Sequence, residues 1–240
     1  MTHNYARIGA ISKGIAIVFT AALLTSGAAI AAKKQELPQT TTDGLTLAKS
    51  EKHRVVYLAD DVDFKQYSKV MIVECAVAFE KNWQRDYNRN ERDLSRQVKD
   101  RDVTRIKEKL AEEFKKVFTE TMTANGVEVV TEAASDVIIL RPAIINLVVA
   151  APDISSSARS HSYVSDPVQM ELYLELYDSV SSAILAKAMD AQNSNRHAPT
   201  MANRTTNIAA ADRILKEWAN ELAGHFSAVK NPEATEEASE

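Results

Sequence analysis

Cysteine occurs once in the 240 residues, at Cys75, so the chain can form no internal disulfide. That residue sits in an apolar run, where a small, buried, inert thiol is the plain reading. Glycine is scarce too, with six residues at positions 9, 14, 27, 44, 126 and 224. Neither a Gly-rich phosphate loop nor a dinucleotide fingerprint can be built from them. The five histidines, His3, His53, His161, His197 and His225, never pair at metal-ligand spacing. No cofactor and no metal is expected. An excess of positive charge is also missing: 29 Lys and Arg stand against 33 Asp and Glu, for a net charge of −4. Such a balance suits nucleic acid poorly, and that class of partner is set aside.

What is present begins with an address. Arg7 and Lys13 form a basic start, Ile15 to Phe19 and Ala21 to Leu24 an apolar centre, and Ala29-Ile30-Ala31 a small-residue cleavage site. Residues 1–31 therefore read as a secretory signal peptide cut near Ala31-Ala32. The apolar run is shorter than the roughly 20 residues of a membrane span, so the mature chain is not expected to cross a membrane. Cleavage removes Arg7 and Lys13 and no acidic residue, which takes the net charge from −4 to −6. Leu24-Thr25-Ser26-Gly27-Ala28 is similar to a bacterial lipoprotein signal, with Ala28 where the lipid-bearing cysteine would stand. The expected location is the periplasm, with any outer-membrane association made through a partner.

Residues 32–54 are polar and read as a flexible leader, 55–228 as one domain, and 229–240 as a disordered acidic tail. The domain is organised around Val168 to Asp178, VQMELYLELYD. Val168, Met170, Leu172, Leu174 and Leu176 alternate with Gln169, Glu171, Tyr173, Glu175 and Tyr177, the period of a strand with one buried face. A one-residue slip would expose the first set and bury two glutamates, so the pattern fixes the register. Ile184 to Gln192 returns beside it as a hairpin. Val70 to Phe79 reads as one buried strand, and Val137 to Ala150 as a central strand with a bulge, bend or edge at Pro142.

Asp102 to Asn125 carries an apolar stripe at helical spacing, with Asp102 as a cap and Asn125-Gly126 as a stop. A second stripe runs through Ile208, Ala211, Leu215, Trp218, Leu222 and Phe226. The charged segment from Glu80 to Arg101 reads as a solvated connection, helical only near its end. The order of elements argues for an α+β two-layer sandwich, a mostly antiparallel mixed sheet with two main helices on one face.

Several stretches carry a resemblance. They are Val62 to Val70 (VDFKQYSKV), Ser135 to Ile144 (SDVIILRPAI), Leu176-Tyr177-Asp178, Ile184-Leu185-Ala186 with Asp190, and Trp218-Ala219. Together they resemble a bacterial envelope family, mostly lipoproteins, called domain of unknown function thirty-three thirteen. The likeness spans roughly Ala59 to Phe226 and implies an envelope location without an assigned activity. Two departures stand out: the lipid cysteine is missing, and Ser182-Ala183 fills a hairpin turn where the family often has glycine.

The chemistry left to weigh is thin. Ser160-His161-Ser162 and Asp166 have the residue types of a hydrolase, but all lie in one serine-rich loop, Pro152 to Pro167, and a triad is assembled by a fold. Arg141 and Asp190 interrupt apolar strands, and the sharper expectation is a structural ion pair between neighbouring strands. Glu171, Tyr173, Glu175 and Tyr177 share the polar face of the organising strand, either as cross-strand packing or as a patch for a partner. The leading expectation is a non-catalytic module that binds another envelope protein. The alternatives are a hydrolase using the serine-rich loop, and a small-molecule or lipid-binding protein with its guest between sheet and helices.

Overall fold

A computed structural model of the protein describes residues 37–150, 152, 162–164, 166–194 and 200–230. The expected signal peptide and the residues from 231 onward lie outside these. In chain order the elements are β1 (Thr46–Ser50), β2 (Arg54–Leu58), β3 (Lys69–Ile72), β4 (Ala76–Phe79), α1 (Trp83–Asn90), α2 (Asp100–Ala124), β5 (Glu128–Val129), β6 (Val137–Val149), β7 (Ser162–Val164), β8 (Val168–Asp178), β9 (Ile184–Asn193), β10 (Thr200–Ala202) and α3 (Arg204–Lys230). The main sheet runs β1-β2-β9-β8-β6-β3-β5, with β4 also on β6. β1, β2, β9, β8 and β6 are antiparallel neighbours, while β3, β4 and β5 join in parallel. β7 and β10 make a separate two-stranded ribbon.

The alternation of β8 sets the layers. Val168, Met170, Leu172 and Leu174 are all buried, and with Leu140 and Ile144 of β6 they meet α2 and α3 in one core. Full burial of each such side chain stabilises by roughly 1.5–3 kcal/mol, so the register is strongly fixed. The fold is the α+β sandwich with both long helices on one face of the sheet.

Local chemistry moved several boundaries. β1 lies inside the stretch expected to be a leader, and Leu45 just before it is buried. A polar strand pairs through its backbone, so TLAKS gave no apolar signal. Val70 to Phe79 is two strands rather than one. β3 pairs with β6 through Leu140, and β4 resumes at Ala143. Pro142, which has no N–H to give, falls in the gap between them and keeps its register with Leu174. The break in β6 comes later, between Ile145 and Val148, where Asn146 takes a left-handed backbone (φ 51°).

α1 forms in the first half of the charged segment, not near its end. It is held by Trp83, which stacks on Phe79 at 4.1 Å, and by Asn88, whose side-chain amide bonds both the N–H and the C=O of Val98. α2 begins two residues before Asp102. That carboxylate accepts the Lys99 N–H from inside the first turn, rather than standing in front of the helix. On α3, Ile208 is 48% exposed, and Ile214, Ala219 and Ala223 complete the buried stripe.

Candidate functional site

The two faces of the sheet present different chemistry. On the face away from the helices, Glu175 is the centre of a hydrogen-bonded cluster although it is only 8% exposed. Tyr173 donates its hydroxyl to Oε1 at 2.8 Å, and Tyr177 donates to Oε2 at 2.9 Å. Arg141, opposite Glu175 on β6, donates to Oε2 at 3.2 Å, and Lys187 of β9 lies 3.6 Å from Oε1. Lys187 also pairs with Asp43, so the segment before β1 is tied onto this face. Tyr57 is anchored beside it by a bond to the Pro38 carbonyl.

The charges here are matched. Burial and the Glu175 hydrogen bond push the Tyr173 hydroxyl up to about 12 and raise that of Tyr177 for the same reasons. Burial alone would lower the Lys187 ammonium, but Asp43, Tyr173 and Glu175 together outweigh it and the net shift is upward. Of the four residues expected as a patch, Tyr173, Glu175 and Tyr177 therefore form one unit. Glu171 turns away and accepts from Asn146 Nδ2 at 2.8 Å.

The expected Arg141–Asp190 pair does not form. The register places Arg141 opposite Glu175, and Asp190 opposite Leu172 and Arg54. Strand parity then puts the two on opposite faces, with β8 between their strands. Asp190, 9% exposed, points to the helix side. It accepts from Arg54 Nε at 3.1 Å, Trp218 Nε1 at 2.6 Å and Gln192 Nε2 at 3.1 Å. Arg54 also pairs with Glu221 of α3. Burial pulls the Arg54 pKa down, but the bond to Asp190 and the charges of Asp190 and Glu221 win, and it is raised.

This cluster closes one end of an apolar groove of about 380 Å³. Its floor is Val56 and Leu58 of β2, Ala186 and Ala188 of β9, and Leu172, Leu174 and Leu176 of β8. Its wall is α3, through Trp218, Leu222, Phe226 and Val229. The groove has a geometric cause. Seven strands at about 4.8 Å spacing span close to 29 Å, and two packed helices cover only about 20 Å. α2 packs over β4 and β5 and α3 over β8, so the β9–β2 end of the sheet has least cover. There the inward residues of β9 are alanines, which leave the space unfilled.

The remaining candidates fall differently. Cys75 is 4% exposed, and burial pushes its thiol up to about 12, far from a reactive thiolate. Ser160 and His161 lie outside the described residues, as does the side chain of Ser162. Among the described residues no group of three or more His, Cys, Asp or Glu could hold a metal ion, and no helix is long and apolar enough to cross a membrane. Sequence reasoning allowed a guest between sheet and helices but named neither Arg54 nor Glu221 nor the place of the groove. The available signal was the pair Ala186 and Ala188, small residues at the inward positions of a strand whose neighbour carries leucines.

Solved structures with a related shape are distant. A PelC dodecamer from Paraburkholderia phytofirmans is 12% identical with a TM-score of 0.35, covering 71% of this chain and 97% of that one. A minor lipoprotein from Acinetobacter baumannii is 9% identical with a TM-score of 0.32, covering 68% and 94%. A DUF4136 family protein from Bacteroides thetaiotaomicron is 12% identical with a TM-score of 0.32, covering 71% and 98%. Values this low transfer no residue role. No curated protein matches the chain. A family's sequence model does match, over residues 40–222, and so takes in β1 and most of α3. The chain belongs to that family, described as protein of unknown function (DUF3313).

Proposed function

We propose that the protein is exported to the periplasm and works in the cell envelope by binding rather than by catalysis, with the apolar groove beside α3 as its binding element. One observation carries this reading: some 380 Å³ of aliphatic-lined space remains between β9, β2 and α3, within the range of ligand pockets. Leucine at both Ala186 and Ala188 would take up roughly half of it, at about 30 Å³ for each added carbon, so the space follows from residue choice as well as from the fold. The export signal in residues 1–31 supports the location. The test has two parts. Fractionation should find the chain in the periplasm with a new amino terminus at Ala32. The neutral apolar dye N-phenyl-1-naphthylamine should bind the purified protein saturably and with enhanced emission. Recovery in the cytoplasm, or no saturable dye binding, would end the proposal.

A second reading keeps the polar face as a docking patch for another envelope protein. Its support is the Glu175 cluster, which holds the Tyr173 and Tyr177 rings in place before any partner arrives. Crosslinking in intact cells should then give a partner that is lost on Tyr173→Ala and Tyr177→Ala. An unchanged set of crosslinked proteins would remove this reading.

A further inference from the structure

The groove's polar end says what kind of guest it takes, an inference that rests on the groove being the binding element. Counting a methylene as a water-sized group of about 30 Å³, the 380 Å³ holds about twelve carbons, one acyl chain rather than two. The walls offer that chain branched aliphatic and aromatic contacts. At this polar end Arg54 is already committed. Arg54 is engaged by both Asp190 and Glu221, and Lys49 pairs with Glu51 at 3.1 Å. Within the lining, Lys49 and Arg54 thus stand beside Asp190 and Glu221, with His225 3.8 Å from Glu221, so the carboxylates are not in excess and a cationic head would meet Arg54 as a like charge. A carboxylate or phosphate arriving there would meet Asp190 and Glu221 as like charges, next to apolar walls that strengthen the repulsion. A hydroxyl brings no charge and can donate to the carboxylate oxygens.

We propose that the groove binds a single-chain amphiphile with an uncharged, hydroxyl-bearing head, its chain along β9 and its head at Arg54 and Glu221. The alanines make the site for the chain, and the mutually paired charges favour neither an anionic nor a cationic head.

The experiment uses the full mature chain carrying Trp83→Phe, so that Trp218 is the sole tryptophan and reports from the groove wall. Three twelve-carbon probes are titrated at neutral pH below their micelle-forming concentrations: 1-monolauroylglycerol, laurate and dodecyltrimethylammonium. The expected result is saturable quenching or shift of Trp218 emission by monolauroylglycerol, with affinity about tenfold or more above laurate, since like-charge juxtaposition costs at least that much. Equal or tighter binding of laurate or of dodecyltrimethylammonium would overturn the head-group assignment, while continued binding of N-phenyl-1-naphthylamine would leave the groove reading standing. Loss of dye and all three probes together would sink both.

Two variants sharpen the result. Ala188→Phe should abolish monolauroylglycerol binding with an unchanged or raised melting temperature; retained binding would contradict the site. Glu221→Gln, on a half-exposed helix position where folding is not at stake, should close the gap between laurate and monolauroylglycerol. An unchanged gap would show that the carboxylate does not set the preference.

Discussion

Trp218 Nε1 donates to Asp190 Oδ2 at 2.6 Å, and beside the Arg54–Glu221 pair this bond joins the helix layer to the sheet. Asp190 is the acidic residue of a strand whose inward positions before it, Ala186 and Ala188, are alanines, and Trp218 is the large side chain of α3 that reaches it. The bond satisfies a buried carboxylate and a buried indole together, where either alone would carry a desolvation penalty.

Removing the bond from either side should be costly by different amounts. Trp218→Phe keeps most of the apolar contact and should cost about 1–2 kcal/mol. Asp190→Ala also strands Arg54, which is about one-fifth exposed and keeps Glu221, so about 3 kcal/mol is expected. Urea unfolding measures both. Because Arg141 sits on the other face, Arg141→Met and Asp190→Asn should add within about 0.5 kcal/mol in a double-mutant cycle.

The Glu175 cluster makes a prediction in alkali. Tyr173 and Tyr67 are both pushed up to about 12, mainly by burial and then by their bonds to Glu175 and Asp178. Their unfolded values are near 10, so between pH 10 and 12 the native chain holds protons that the unfolded chain has lost. The stability these groups contribute is intact below pH 10 and falls away as pH rises toward 12. Ultraviolet titration should show Tyr67 and Tyr173 among the late-ionising tyrosines, and Tyr173→Phe should remove one of them. Glu175→Ala should cost about 2 kcal/mol by orphaning the tyrosine hydroxyls, while Glu175→Gln should cost less.

The β8–β9 turn predicts behaviour in acid. Asp178 Oδ1 accepts from the Ser181 N–H at 2.6 Å, the Ser181 hydroxyl at 2.7 Å and the Val180 N–H at 3.1 Å, and Tyr67 donates to Oδ2 at 2.9 Å. The Ser181 bonds lead in lowering its pKa to about 2. The unfolded chain takes up a proton near pH 4 and the native one only near 2, so this contribution holds above pH 4 and is lost between 4 and 2. Asp178→Asn should flatten that part of the stability–pH curve.

The same turn holds Ser182 in the left-handed region at φ 59°. This chain keeps the conformation with a β-carbon, and the Asp178 bonds hold it there. Ser182→Gly should relieve a strain of about 1 kcal/mol, partly offset by the added freedom of the unfolded chain. A lower melting temperature for the variant would contradict that account.

Much of this architecture could be read from the residues, for particular reasons. β8 was legible because its alternation leaves one register that buries leucine and not glutamate. α2 was legible because Leu110, Phe114, Val117, Phe118 and Met122 recur at helical spacing, and all are buried. The break between β3 and β4 was not, because VMIVECAVAF is apolar except for Glu74, and one charged residue in the gap does not separate a break from an outward position on a continuous strand. α1 was hidden because two tertiary contacts hold it, Trp83 on Phe79 and Asn88 on Val98, and neither leaves a local pattern. The polar face was half legible: parity put Tyr173, Glu175 and Tyr177 together, but strand order alone could show that Arg141 joins them while Asp190 faces away. The groove joins a mismatch between sheet width and helix number to the small Ala186 and Ala188, and only the alanines are written in one segment.

The central claim, that a space for one apolar chain lies between β9, β2 and α3, is tested most directly by crystals soaked in 1-bromododecane and measured at the bromine edge. The account predicts one bromine site bounded by Leu58, Ala188 and Leu222, absent from Ala188→Phe crystals. Bromine found elsewhere, or side chains closed over Ala188 with no room for a chain, would contradict it.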